Sequence, residues 1–252
     1  MIMVNKDLED IPFSLLDRRT TTRRDTCIRD GKYHQDKKFD QRYKQIDIKE
    51  KLEQLYHNKC AFCEQEVMRC IDNNLQDFST TIEHYRPKST YYWLAFSWDN
   101  LLLCCHRCNQ NKGIKFEIIK DTRVAHNNTF ANNTHTSTQN YNTLEEPKMV
   151  HPELENVVSD LKFTKYGEIS SRDNRVKYTI DTYEIDRDDL NEKRKRVIDQ
   201  FIKKVESYTV KNQPIDNILK ELLADIKSKD KNFIALRYWI LRNYKSLVNM
   251  TI

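Results

Sequence analysis

Four cysteines in two CxxC pairs, Cys60/Cys63 and Cys105/Cys108, constrain this 252-residue chain more than any other feature. A two-residue gap lets one tight turn aim both sulfurs at a single ion, and a second such turn completes a tetrahedral tetrathiolate site. Zinc is the expected ion. Its role is structural, because four thiolates leave it no open position for chemistry. Only Cys105 has a two-residue gap to Cys108, so Cys104 reads as a packing thiol on the opposite side of a strand. Cys27 and Cys70 read the same way, since a free cysteine behaves as a small hydrophobe. His106, inside the second turn, reads as an exposed bystander. Seven cysteines, four of them explained by metal, fit a reducing cytoplasm better than a disulfide framework.

Between the pairs stand residues suited to hydrolysis. Glu83-His84 closes a short β-branched run, Thr80-Thr81-Ile82. Asn100 precedes the apolar Leu101-Leu102-Leu103, and Asn109 opens the polar, turn-like segment after Cys108. An imidazole with an ordinary pKa of about 6.5 can take a proton from water at neutral pH. A carboxylate and an amide oxygen suit a hard, weakly held Mg²⁺ or Mn²⁺ that keeps several waters. Lys112 and Arg86 are candidate phosphate contacts, the arginine through its two-pronged guanidinium.

The segments KCAFCE, TTIEHYRPKS, WDNLLLC and CNQNKG resemble the ββα-metal motif of HNH endonucleases in its His-Asn-Asn form. The resemblance implies an α+β fold: a zinc-braced ββα-metal nuclease core, with an N-terminal arm and helix and a mostly helical C-terminal region. It implies catalytic roles for His84 as general base, for Glu83 and Asn109 as ligands of Mg²⁺ or Mn²⁺, and for Asn100 as the brace of the loop that orients His84. Two departures stand out. Glu83 occupies a position where many members have Asp, which changes its reach, and Asn109 replaces a second histidine. Beyond the motif, HPEL, LKFTKYGEI and YTIDTYEIDRDDLNEKRKRVI resemble the PtuB-type HNH proteins of Septu and retron-associated anti-phage defence. That resemblance implies a PtuA-type ATPase as partner and DNA or RNA as substrate. A retron reverse transcriptase and its msDNA are further partners it brings in.

The rest of the chain reads as support for this core. Residues 1–39, with Pro12, Gly31 and many charges, read as an extended arm. Its basic cluster Arg18, Arg19, Arg23 and Arg24 reads equally well as a phosphate contact or as a solvated surface. Residues 40–125 form the zinc-braced core, entered by a helix on which Ile48, Leu52 and Leu55 recur at helical spacing. Of the aromatics after Pro87, Phe96 and Trp98 read as packing residues and Tyr91 and Tyr92 as base-stacking candidates. Residues 126–148 are almost free of aliphatics and read as a flexible polar insertion, with His126 and His135 as bystanders; His151 beyond it has no assignment. Residues 149–252 read as a hairpin around Tyr166-Gly167, a strand over 176–185 and three amphipathic helices.

A net charge of +5 permits nucleic-acid contact without demanding it. No run of about 18 apolar residues exists, and the N-terminus lacks the basic-then-apolar order of a signal peptide, so a cytoplasmic protein without a membrane span is expected. Three classes of function follow: an ATPase-coupled HNH effector nuclease, a stand-alone restriction-type HNH nuclease, and a nonenzymatic zinc-braced interaction module. The second would need a sequence-reading module, and no helix-turn-helix or finger array is legible. The first is the reading preferred here.

Overall fold

The computed structural model describes residues 1, 3–69, 76–126 and 135–249, and Cys70 lies outside them. At its centre β1 (Thr80–His84) pairs antiparallel with β2 (Leu101–Cys105), in a register that sets His84 opposite Leu101 and Thr80 opposite Cys105. Helix α5 (His106–Lys112) follows β2 without a break. Cys105 is both the last residue of the strand and the cap of the helix, its sulfur accepting from the Cys108 amide at 3.4 Å. Every residue of β2 is buried, as a strand reads when both of its faces are covered.

Four helices precede this unit: α1 (Phe13–Leu16), α2 (Arg18–Asp30), α3 (Lys37–Tyr43) and α4 (Ile46–Leu55). Much of the expected extended arm is therefore helical. The reason is capping: Asp17 accepts from the Thr20 amide at 2.8 Å to start α2, and Gly31 ends it in the left-handed conformation. Asp36 starts α3 in the same way, through the Lys38 amide. The segment before α1 is pinned and not free. Val4 donates its amide to the Pro152 carbonyl, and the buried Lys6 ammonium binds Glu153 at 2.7 Å and the Leu101 carbonyl at 2.6 Å.

A second departure lies in the polar stretch expected to be a flexible insertion. Residues 127–134 fall outside the described residues, but α6 (Thr138–Glu145) is a helix with Tyr141 and Glu145 buried. His135, expected as a bystander, accepts from the Trp98 amide at 2.9 Å and is buried. Composition misses this because few side chains hold the segment, and each has its partner far away in sequence.

The C-terminal half opens with the expected hairpin, β3 (Leu161–Phe163) against β4 (Ile169–Ser171). Its turn needs Gly167, at φ +86°, because a Cβ there would collide with the Asn191 carbonyl and come within 2.8 Å of the Lys195 amide. The expected strand over 176–185 is instead α7 (Asn174–Tyr183). Asp173 caps it by accepting from the amides of Arg175 and Val176, and Val176, Ile180 and Tyr183 bury one helical face. The run's β-branched content suggested a strand, but the i, i+4, i+7 spacing prevails. The three expected helices follow as α8 (Asp188–Val210), α9 (Asp216–Ser228) and α10 (Ile234–Asn249).

One continuous apolar core runs from Met1 through the β1–β2 hairpin to Leu247, so the halves share an interior. Among the described residues no helix is long and apolar enough to cross a membrane.

Candidate active site and metal centre

Two tight turns assemble the cysteines. The Cys60 amide donates to the Gln65 carbonyl at 3.0 Å and the Glu64 amide to the Cys60 carbonyl at 3.1 Å, curling the first CxxC into a knuckle. The Ala61 amide then docks this knuckle on the Leu103 carbonyl of β2, beside the second. The sulfurs of Cys60, Cys63, Cys105 and Cys108 lie within 4.8 Å of one another, all four residues buried. Tetrahedral zinc–thiolate bonds of about 2.3 Å place sulfurs about 3.8 Å apart, and Cys63 and Cys105 stand at 3.8 Å. The four residues fit a metal such as zinc. Cys104 is not on the far side of the strand as expected: its sulfur packs 3.7 Å from that of Cys60, a neighbour of the cluster and not a member of it.

Beyond β1 opens a groove of about 570 Å³. Its floor is β1 with Asn109 and Lys112 of α5, and its far wall is Tyr33, Asp40, Tyr43 and Lys44. Lys32, Lys49 and Lys88 also line it, so the lysines outnumber the carboxylates of Asp40 and Glu83.

His84 lies at the end of β1, 7% exposed. Its Nε2 is 2.9 Å from the Ala95 carbonyl, which can only accept, so the proton is on Nε2 and the lone pair on Nδ1. Tyr43 meets the imidazole edge to face at 4.6 Å and fixes its plane. Burial, then the charge of Lys88, lowers the imidazole's pKa to about 3, and it is neutral at physiological pH. Asn100 is fully buried. Its amide oxygen accepts from the Arg86 amide at 2.7 Å, while its nitrogen donates to the carbonyls of Arg86 and Leu94, tying the two ends of the β1–β2 loop together. Asn109 donates its side-chain nitrogen to Thr81 and to the Ile82 carbonyl, which leaves its oxygen as the arm available to the groove.

Glu83 and Lys112 form a buried ion pair, and Lys112 also donates to the His84 carbonyl at 2.6 Å. Burial raises the pKa of Glu83, and the Lys112 charge works against that rise. Lys112 is thus spent on the floor of the site and offers no free ammonium to a phosphate. Arg86 does not reach the groove at all. It is fully buried, with Nε on Glu145 at 2.9 Å, Nη2 on Asn142 at 2.8 Å and the rings of Tyr85, Tyr91, Phe116 and Tyr141 around its guanidinium. Tyr91 is buried too, its hydroxyl on Glu145 at 2.7 Å, and presents no ring for a base to stack on.

Among the lysines that line the groove, Lys88, two residues beyond Arg86, stands nearest to Asp40 and the tyrosine rings. Its ammonium sits 2.9 Å from Asp40 and 4.5 Å from the ring centres of both Tyr33 and Tyr43. Burial works to raise the pKa of Asp40, but the Tyr33 hydroxyl and Lys88 outweigh it and hold the carboxyl at about 2.

Comparison with known proteins sets this chain beside similar ones. No protein-family model matches the chain. The Septu protein PtuB of Bacillus mycoides (strain KBAB4) is 27% identical over 225 residues, covering 82% of this chain and 70% of that protein. The chain is a relative of Septu PtuB. A second PtuB, from Bacillus thuringiensis, is 38% identical over 66 residues, 26% of this chain and 23% of its own length. The Septu protein PtuA of the Bacillus mycoides strain is 24% identical over 84% of this chain but only 30% of its own length.

Relationship to PtuB does not point to Tyr43 or Lys88, and sequence reasoning missed both. Lys88 stands in the quoted TTIEHYRPKS segment and carried a signal of its own, as the first cation after Pro87. Tyr43 carried none, because its place beside His84 depends on how α3 folds back over β1.

Proposed function

We propose that this chain is a metal-dependent HNH endonuclease that hydrolyses nucleic-acid phosphodiester bonds, the effector of an anti-phage defence complex with a PtuA-type ATPase. The observation that carries the reading is His84: buried, neutral, its Nε2 proton given to a main-chain carbonyl and its Nδ1 lone pair left as the base, on a strand–loop–strand–helix unit beside a basic groove. In this reading Nδ1 takes the proton of a water molecule as its oxygen bonds to phosphorus and the bond from phosphorus to the 3′ oxygen breaks. Tyr43 and the Ala95 carbonyl hold the ring so that no reorientation is needed at that moment. With its pKa lowered, the ring is a weaker base than an ordinary imidazole, and a phosphate entering the groove restores basicity by favouring the protonated ring.

Glu83 and Asn109 supply one anionic and one neutral oxygen, a donor set that fits a mostly hydrated Mg²⁺ or Mn²⁺. When bound, such an ion would neutralise charge on the phosphate and on the departing oxygen. Lys112 keeps the Glu83 carboxylate in place from below. Lys88, Lys44 and Lys49 line the walls where a phosphate backbone would run. None of these groups reads a base, so the groove selects a charged backbone and not a sequence.

The competing reading is a zinc-braced interaction module that does not cut. The observation in its favour is the hold Lys112 has on Glu83, which leaves that carboxylate already neutralised. Cleavage of plasmid, single-stranded DNA and tRNA decides between them, using the chain co-purified with its PtuA-type partner in Mg²⁺, Mn²⁺ or EDTA. Cutting that EDTA abolishes is expected; a complex inert on all three substrates in both metals overturns the nuclease.

A further inference from the structure

The four thiolates hold a charge that the surrounding protein must answer. A divalent ion in four thiolates leaves a net charge of about −2, here in a fully buried setting where uncompensated charge is costly. The answering cation comes from the other half of the chain. Arg187, in the turn between α7 and α8, places Nη1 3.7 Å from the Cys108 sulfur and 3.0 Å from the Glu184 carbonyl. Its Nε lies 2.8 Å from Asp189, and its side chain is only 12% exposed. Nη2 is buried with no hydrogen-bond partner among the described residues. The neighbouring Arg194 is committed to the Gly167 and Ile185 carbonyls and to Asn191. The same turn is fastened to the knuckles by Phe62 stacked on Tyr183 and by Asn111 donating to the Tyr183 carbonyl.

We propose that Arg187 is a positioning residue of the metal centre. It donates an N–H···S hydrogen bond to the Cys108 thiolate and compensates the charge of the tetrathiolate, so that the C-terminal half helps to retain the ion. The reach of a guanidinium suits this: one prong meets the sulfur while another holds the helix start. The proposal rests on the cysteines holding a divalent ion and does not depend on nuclease activity.

The test is the rate at which the full chain surrenders zinc to a chromogenic chelator at fixed pH, together with the sulfur-to-metal charge-transfer band of the cobalt-substituted protein. Arg187→Met is expected to release zinc ten- to a hundredfold faster, the range typical for partners of metal ligands. Its cobalt band should move to longer wavelength, because an unbonded thiolate gives up electron density more readily. Arg187→Lys, which keeps the charge but not the fork, should release zinc at a rate between those of wild type and Arg187→Met. Asp189→Asn removes the Asp189 ion pair while leaving the contact with sulfur, and should release zinc at the wild-type rate. Release from Arg187→Met at the wild-type rate with an unmoved band overturns the proposal. So does Asp189→Asn losing zinc as fast as Arg187→Met, since the effect would then lie in helix packing. A wild-type chain purified without metal overturns the metal centre and the role of Arg187 together, whatever its cleavage activity.

Discussion

Lys112 places its ammonium against the Glu83 carboxylate at the foot of the groove, with both side chains buried. Removing one partner of a buried pair leaves the other charge without an answer and costs about 3–5 kcal/mol. Lys112→Met is therefore expected to lower the unfolding free energy by about that amount, read from the denaturation midpoint in urea. A change below about 1 kcal/mol would mean that Glu83 finds solvent or another cation without it.

Arg86 and Glu145 form a second sealed pair, joined across 59 residues of sequence. Glu145→Gln should destabilise the fold by about 3 kcal/mol or more and loosen α6, because Glu145 also accepts from Tyr91 and the Val124 amide. Hydrogen exchange over residues 138–145 measures the second effect. Unchanged protection there would show that α6 does not depend on the pair.

Three buried histidines, His84, His135 and His151, all have pKa values lowered chiefly by burial, to about 3 and about 4 for the first two. The folded chain keeps them neutral where the unfolded chain protonates them near pH 6.5. Unfolded molecules thus bind more protons below that pH, and stability is full above about pH 6.5 and falls as the pH drops towards 4. The three together allow a slope of up to about 4 kcal/mol per pH unit. Urea titrations at pH 7, 6 and 5 should show a steep loss; a flat profile would mean that these side chains gain solvent or partners in the native state.

How much of this was legible in advance follows from the range of each interaction. The CxxC spacing, the short β-branched and apolar runs at 80–82 and 101–103 and the three C-terminal helices are local patterns, and the structure has the knuckles, strands and helices where they predict them. Arg86 reads as a phosphate contact because its partner Glu145 lies in a segment whose composition gives no sign of a helix. Tyr43 was missed because nothing in the sequence near it marks a site; only the path of α3 over the strand brings its ring to the imidazole. Residues 176–185 read as a strand because β-branched side chains suit both states, and the cap at Asp173 decides for the helix. Cys104 shows the limit of strict alternation: β2 runs straight into α5 at Cys105, and the turn brings successive sulfurs to the same neighbourhood.

The proposed hydrolysis depends most on the imidazole at the end of β1. Comparing wild type with His84→Ala, each co-purified with the proposed PtuA-type partner, on one nucleic-acid substrate in Mg²⁺ or Mn²⁺ tests it most directly, with zinc content and circular dichroism read on the same samples. Loss of the proposed general base is expected to slow cleavage by about 10²–10⁴-fold while zinc content and helicity stay at wild-type values. Cleavage by His84→Ala at the wild-type rate would contradict the account.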